Sequence, residues 1–325
     1  MFETAGWSGD NTRPEVSVVI VSWNVADLLR NCLRSVFDTA STDRLEAEVI
    51  VVDNASRDDT SSMIRREFPG VELVVNAENV GFARANNQGF KLAKADLIFI
   101  LNPDTVVQPG ALAELKAAFQ RHPEAGIIGP KILTDAGLIQ ETTARRLPNL
   151  ASVLWIDSLK FHQSPGMGRG LLRRLKFPYD YDEEQAVEAV SGAAMMARRG
   201  LIETLGGFSG DFLHTGEDVD LCARAGRSGA AIWYVPHAIV VHLGGQSSRQ
   251  SMVRSAINGR LSGQLYFLRT YGRSAAVWYR IIILLVQMPV LLLVGIIKRI
   301  LGMETREQLE TRIQIAARII RWHPE

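Results

Sequence analysis

Between Val16 and Phe119 the chain repeats one pattern, a short run of large apolar residues followed by an amphipathic stretch at helical spacing. Val16–Val21 precedes Ala26–Phe37, in which Leu28, Leu29, Cys32, Leu33, Val36 and Phe37 carry the helical period. Glu48–Val52 precedes a helix opened by Asp58, Asp59 and Thr60; Val71–Val75 precedes Gly81–Leu92; Leu97–Leu101 precedes Gly110–Phe119. Continuous apolar runs fit strands buried on both faces, and their alternation with helices fits an open, doubly wound α/β sheet. Ligands of such sheets bind beyond the carboxyl ends of the strands. Polar residues collect at those ends here: Ser22 and Asn24, Asp53 and Asn54, Asn76 and Asn79, Asn102 and Asp104. A single crevice built from these loops is expected.

Charge narrows the partners. With 36 basic and 35 acidic residues among 325, the net charge is +1, so no global field favours nucleic acid. The two cysteines, Cys32 and Cys222, sit in apolar helical patterns and read as core thiols of a reducing compartment. The polar stretch 1–15 has no apolar run, so no cleavable secretory signal is expected. Residues 16–250 read as the catalytic domain, with a ligand-binding half at 16–130 and an acceptor or catalytic half at 131–250. Residues 251–325 read as a helical appendage.

Several constellations carry chemistry. Asp53 ends the run Val49–Val52, where a carboxylate can accept from a nucleobase imide or a ribose hydroxyl; capping the next turn is its plainer role. Asn79, Gly81 and Arg84 open a helix, so backbone N–H groups and a guanidinium can meet a diphosphate there. The glycine fingerprint of NAD enzymes is absent. Asn102-Pro103-Asp104-Thr105 follows a buried strand, and Asp104 suits a hard cation that takes its other ligands from phosphates. His242, at the end of a strand pair spanning Trp233–His242, is expected to complete that metal site.

The densest run of acids is Glu217-Asp218-Val219-Asp220, before a helix. A base for displacement at an anomeric carbon must be a carboxylate near the acceptor hydroxyl, and like-charge repulsion among neighbouring acids favours a raised pKa. Asp218 is expected to be that base, with Glu217 and Gly192 on the acceptor side. The plainer reading is an acidic helix start favoured by the macrodipole.

Taken in order, these motifs resemble the family-2 glycosyltransferases of GT-A fold, in the bacterial rhamnosyltransferase-like branch, over roughly Val16 to Gly245. The resemblance implies a Rossmann-like open mixed sheet and catalysis with inversion. It implies base contact by Asp53, donor and metal binding by Asn102-Pro103-Asp104, a catalytic pair Glu217-Asp218, a metal role for His242, and Mg²⁺ or Mn²⁺ as cofactor. Asn102 departs from the first aspartate of the family's D-x-D element. Ser22, Asn24, Asn79, Gly81 and Arg84 join the nucleotide-sugar site. The donor expected is dTDP-L-rhamnose, with UDP-hexoses as the alternative, and the acceptor a polyprenyl-diphosphate-linked saccharide. A non-catalytic nucleotide-sugar-binding scaffold is the reading from another class.

The tail fits such an acceptor. Ile281–Ile297 is almost wholly apolar, is interrupted by Gln287 and Pro289, and is flanked by Arg273, Arg280, Lys298 and Arg299. About 20 apolar residues cross a bilayer, so this run is marginal, and Pro289 favours a kinked or re-entrant form. Glu304–Trp322 reads as an amphipathic helix with Leu309, Ile313, Ala316 and Ile320 on its apolar face. Residues 275–322 are expected to meet the membrane, at the cytoplasmic face of a bacterial inner membrane, and the basic cluster Arg169, Arg173, Arg174 and Lys176 to meet acceptor phosphates. The alternative is a core helix pair or a homo-oligomer interface.

Overall fold

A computed structural model describes residues 13–140, 142–154, 179–212, 215–244 and 252–321. The N-terminal stretch 1–12, the cluster at 169–176 and Gly245 lie outside the described residues. The chain divides into two compact units. Described residues 13–146, 179–212 and 217–244 form one, and 147–154, 215–216 and 252–321 the other.

The first unit is built on a nine-stranded sheet. Its strands are β1 (Val16–Ser22), β2 (Ala47–Asp53), β3 (Glu72–Val75), β4 (Leu97–Leu101), β5 (Thr105–Val107), β6 (Ala125–Leu133), β8 (Gln185–Ala186), β10 (Ala194–Arg198) and β11 (Ala231–His242). They run in the order β3-β2-β1-β4-β10-β6-β11-β5, with β8 paired to β11 off this path. The strands β3, β2, β1 and β4 are mutually parallel, whereas β10 is antiparallel to both β4 and β6. A separate small sheet pairs β7 (Ala144–Arg145) with β9 (Ala189–Val190). The expected strand pair at Trp233–His242 is a single strand, irregular between Val235 and Ile239. Pro236 supplies no N–H to a ladder, which suits an irregular stretch.

Helices α1 (Ala26–Asp43), α2 (Thr60–Glu67), α3 (Phe82–Leu92), α4 (Ala111–Arg121), α5 (Arg199–Leu205) and α6 (Glu217–Arg227) complete this unit. The core is continuous, from Val18 and Ile20 on β1 through Leu29, Leu33 and Val36 on α1 to Phe99 and Leu101 on β4. Cys32 and Cys222 are free, buried thiols, each pushed up to about 12 chiefly by burial.

The second unit holds α7 (Met252–Tyr271), α8 (Arg273–Ile300) and α9 (Arg306–Arg321). Helix α8 is one rod rather than a hairpin. A π-helical turn at Ile283–Gln287 precedes Pro289, relieving the clash and missing hydrogen bond of a proline without breaking the helix. On α9 the buried residues are Ile315, Ala316 and Ile319, while Ile313 and Ile320 are exposed. The expected apolar face is therefore split between packing and solvent.

Where α3 crosses β1 the backbones approach so closely that a Cβ on Gly89 would lie 2.5 Å from Val19 Cγ1. Alanine in a helix interior normally stabilises by up to about 1 kcal/mol over glycine. Overpacking costs about 1–3 kcal/mol, so here the sign reverses. Gly89→Ala is expected to lower unfolding free energy in urea; a gain would show that α3 does not pack on β1 this tightly.

Candidate active site

The loops that follow β2 and β3 are held by an amide ladder. Asn54 donates from Nδ2 to Asn79 Oδ1 (2.8 Å) and accepts at Oδ1 from Asn76 Nδ2 (3.2 Å) and the Val80 N–H (3.0 Å). Asn76 and Gln88 exchange two further bonds, at 2.9 and 3.0 Å. Asn24, at φ 55°, accepts from the Arg57 N–H at 2.7 Å and so joins the β1 loop to the β2 loop. Asp53 is buried and accepts from the Ser56 N–H (2.9 Å) and from the Ser61 hydroxyl. It thus fills the turn-capping role while ending β2 at the crevice. Ser22 is also buried, and its Oγ has no hydrogen-bond partner. Gly81 is the N-cap of α3 at φ 87°, and exposed Arg84 donates from Nε to Gly210 O at 3.3 Å.

Asp104 and His242 meet because β5 pairs antiparallel with the end of β11 in a register that sets His242 opposite Thr105. The Leu243 N–H donates to Asp104 O at 2.9 Å and extends that pairing. His242 Nε2 lies 3.2 Å from Asp104 Oδ1 and 3.5 Å from Asn102 Nδ2. On the other ring edge, Gln140 grips the histidine twice. Its Nε2 donates to His242 O (2.8 Å), which leaves Oε1 to accept from Nδ1–H (3.0 Å). With the proton on Nδ1, the Nε2 lone pair faces a carboxylate oxygen, and a proton or cation between two acceptors relieves that contact. The donor set, one carboxylate, one imidazole and a neighbouring amide, fits a divalent cation whose remaining ligands are phosphate oxygens and water. Among the described residues no group of three or more His, Cys, Asp or Glu could hold a metal by itself.

The acid pair is tied to the same place. The Asn102 N–H donates to Ala193 O (2.9 Å), and one residue earlier the Gly192 N–H donates to Asp218 Oδ2 (2.9 Å). A Cβ on Gly192 would lie 3.0 Å from Asp218 Cβ, so the bare backbone is what admits the acid. Gly192 thereby seats Asp218. Arg145 Nη2 also reaches Asp218 Oδ2 (2.6 Å), and the Val219 N–H donates to Oδ1 (2.7 Å).

Glu217 is buried, and its Oε2 has no hydrogen-bond partner. Burial first, and the charge of Asp218 second, push its carboxyl up to about 8. At Glu217 desolvation outweighs like-charge repulsion as the cause of the rise. Asp220 serves a different purpose. It binds Arg224 Nε (2.8 Å), and Arg224 donates to Leu205 O and Gly207 O, both at 2.9 Å, fixing the glycine-rich loop.

Sequence reasoning missed Gln140 and Arg145. Both lie where the apolar periodicity has faded, and their partners stand 102 and 73 residues away. No local signal marks either one.

The family model described as "Glycosyl transferase family 2" matches residues 17–205, more than half of the chain. The chain belongs to glycosyltransferase family 2. A Mycobacterium tuberculosis protein named N-acetylglucosaminyl-diphospho-decaprenol L-rhamnosyltransferase is 29% identical over 238 residues, covering 69% of this chain and 75% of that one. Two solved structures share the fold at low identity. The mannosyltransferase PcManGT of Pyrobaculum calidifontis, in complex with GDP-Man and Mn²⁺, aligns at TM-score 0.53 and 17% identity over 95% of this chain and 87% of its own. The S. aureus protein TarS, residues 1–349, aligns at 0.51 and 14% over 82% and 69%. The fold of this family-2 glycosyltransferase is accordingly GT-A.

Burial of Glu217 gives the glycosyltransferase a testable pH signature. Its folded pKa stands above the ordinary 4.5, so the folded state binds the extra proton. That contribution is complete below about 4.5, the ordinary glutamate value, and is lost as pH rises through about 8. Thermal unfolding from pH 5 to 9 is expected to show wild type losing stability relative to Glu217→Gln, which carries no charge to bury. Parallel curves would place Glu217 in solvent.

Proposed function

We propose that this glycosyltransferase is an inverting enzyme that moves L-rhamnose from dTDP-L-rhamnose to a saccharide carried on polyprenyl diphosphate, for cell-surface polysaccharide. It works as a peripheral or monotopic protein at the cytoplasmic face of a bacterial membrane. The observation that carries the reading is that Asn102 and Asp218 are tied to adjacent residues, Ala193 and Gly192, which brings the Asn102-Pro103-Asp104 element and the acid pair to one turn. The mycobacterial relative supports the sugar and the lipid carrier through its name. A UDP-hexose is the alternative donor.

In this reading Asp53 and the β1 and β2 loops bind the nucleoside, while the α3 N-terminus and Arg84 lie along the diphosphate. Asp104 and His242 hold Mg²⁺ or Mn²⁺, with Asn102 beside them. A cation held there would offset the charge of the leaving nucleoside diphosphate. Asp218 takes the proton from the acceptor hydroxyl, and Arg145 with the Gly192 N–H keeps its carboxylate aimed. Glu217, held protonated at neutral pH chiefly by burial, lies beside Asp218 on the acceptor side. Attack opposite the leaving group inverts the anomeric centre.

The test is nucleoside diphosphate release from a panel of dTDP- and UDP-sugars in detergent, with lipid-linked acceptors present. Turnover is expected with dTDP-rhamnose and is expected to stop with chelator. Asp218→Asn should slow it by roughly 10²–10⁴-fold, the usual worth of a general base. Asp104→Ala should weaken the response to Mn²⁺. Turnover confined to a UDP-hexose would replace the donor, and variants that match wild type would remove the residue assignments.

A further inference from the structure

Helix α8 of the second unit carries an exposed apolar stripe. Along α8, Trp278, Leu285, Leu293, Ile296 and Ile300 recur at helical spacing, each between 47% and 78% exposed. From Trp278 to Ile300 the stripe is about 33 Å long at 1.5 Å per residue. Patches of this extent rarely face water for no reason. The opposite side of the rod is covered. Tyr279 Oη donates to Arg260 O of α7 (3.3 Å), and Gln287 Nε2 donates to Val153 O (3.1 Å).

Helix α9 runs back along that covered side. Gly295 of α8 faces Leu309 and Arg312, while Ile319, ten residues onward from Leu309, lines a small cavity with Ile283 and Leu284. The outer side of α9 carries Arg306, Glu307, Glu310, Gln314 and Arg318, all exposed. Arg306 and Glu310 pair at 2.8 Å, but Glu307 and Arg318 stand beside them, and if α8 crossed a bilayer α9 would take all of these charged groups into hydrocarbon with it, where they are strongly disfavoured. Lying flat carries no such penalty. The stripe then enters the acyl boundary while α9 keeps its charged side in water.

Charge at the ends fits the same arrangement. Arg273 and Arg299 are exposed near opposite ends of the rod. A crossing helix carries its basic excess on one side of the membrane, whereas basic residues at both ends of a flat helix all reach anionic headgroups. Trp278 belongs at that depth as well.

We propose that the helical unit docks on an anionic lipid surface with α8 parallel to the membrane plane, the stripe from Trp278 to Ile300 inserted at one shallow depth along its length. This rests on the membrane reading above and specifies its geometry.

The experiment uses the full chain with single nitroxide labels at Trp278→Cys, Leu285→Cys, Leu293→Cys and Ile300→Cys, the native Cys32 and Cys222 being buried. Each is bound to vesicles of phosphatidylglycerol and phosphatidylcholine, and depth is read from collisions with oxygen against a nickel chelate. Equal depths, about 5–10 Å into the headgroup boundary, are expected at all four positions. Deep labels at 285 and 293 between shallow ones at 278 and 300 would mean a crossing helix, overturning the flat geometry and leaving membrane attachment intact. Failure of wild type to bind the vesicles would overturn both. Spin–spin broadening without lipid would mean that a second copy covers the stripe, and would also overturn the proposal. As a separate arm, Leu285→Lys with Leu293→Lys should weaken vesicle binding at least tenfold while nucleoside diphosphate release in detergent is unchanged. Undiminished binding would remove the stripe as the docking face.

Discussion

Strand β10 enters the sheet antiparallel between β4 and β6, and the arrangement of the site depends on that insertion. Because Ala194 pairs with Leu101, the residues just before β10 stand beside those just after β4. One backbone bond, from the Asn102 N–H to Ala193 O, closes the junction. The next residue back then offers its N–H to Asp218. Two stretches about 90 residues apart thus share a turn whose position is set by ladder register.

Electrostatics at this junction divide the acids by environment rather than by type. Asp218 has Arg145 and two backbone N–H groups, Asp220 is buried with Arg224 on one oxygen and no partner on the other, and Glu217 is buried with an unpartnered oxygen and no arginine bonded to it. Three carboxylates within the first turn of one helix are favoured by its dipole, yet that common factor cannot separate them. What separates them is which side chains arrive from elsewhere in the fold.

Much of this was legible in the sequence, for a physical reason. Buried parallel strands are apolar throughout, so the strands themselves were readable, and so were the polar residues that end or follow them, Asn24, Asp53, Asn79 and Asp104. Local pattern cannot report pairing across the chain. Gln140 and Arg145 follow β6 in a stretch with no periodicity, and their importance comes from where β11 and α6 happen to lie. For the same reason Asp53 was ambiguous: its turn-capping bonds are local and readable, whereas any contact with a nucleotide is not. The tail erred differently. Pro289 was expected to favour a kinked or re-entrant form, and the helix continues through it, with a π-helical turn at Ile283–Gln287 just before the proline.

The histidine shows how such remote partners set chemistry. An imidazole beside a carboxylate can take either tautomer, and a ring free to flip gives a cation no fixed lone pair. Gln140 removes both freedoms with one side chain. Its N–H₂ is committed to His242 O, so its oxygen must accept, so the ring proton must sit on Nδ1, so Nε2 must turn to Asp104. The amide's orientation follows from a backbone carbonyl, which cannot itself titrate or rotate away. A site whose lone pair is fixed by a chain of obligatory donors and acceptors is preorganised before any ligand arrives.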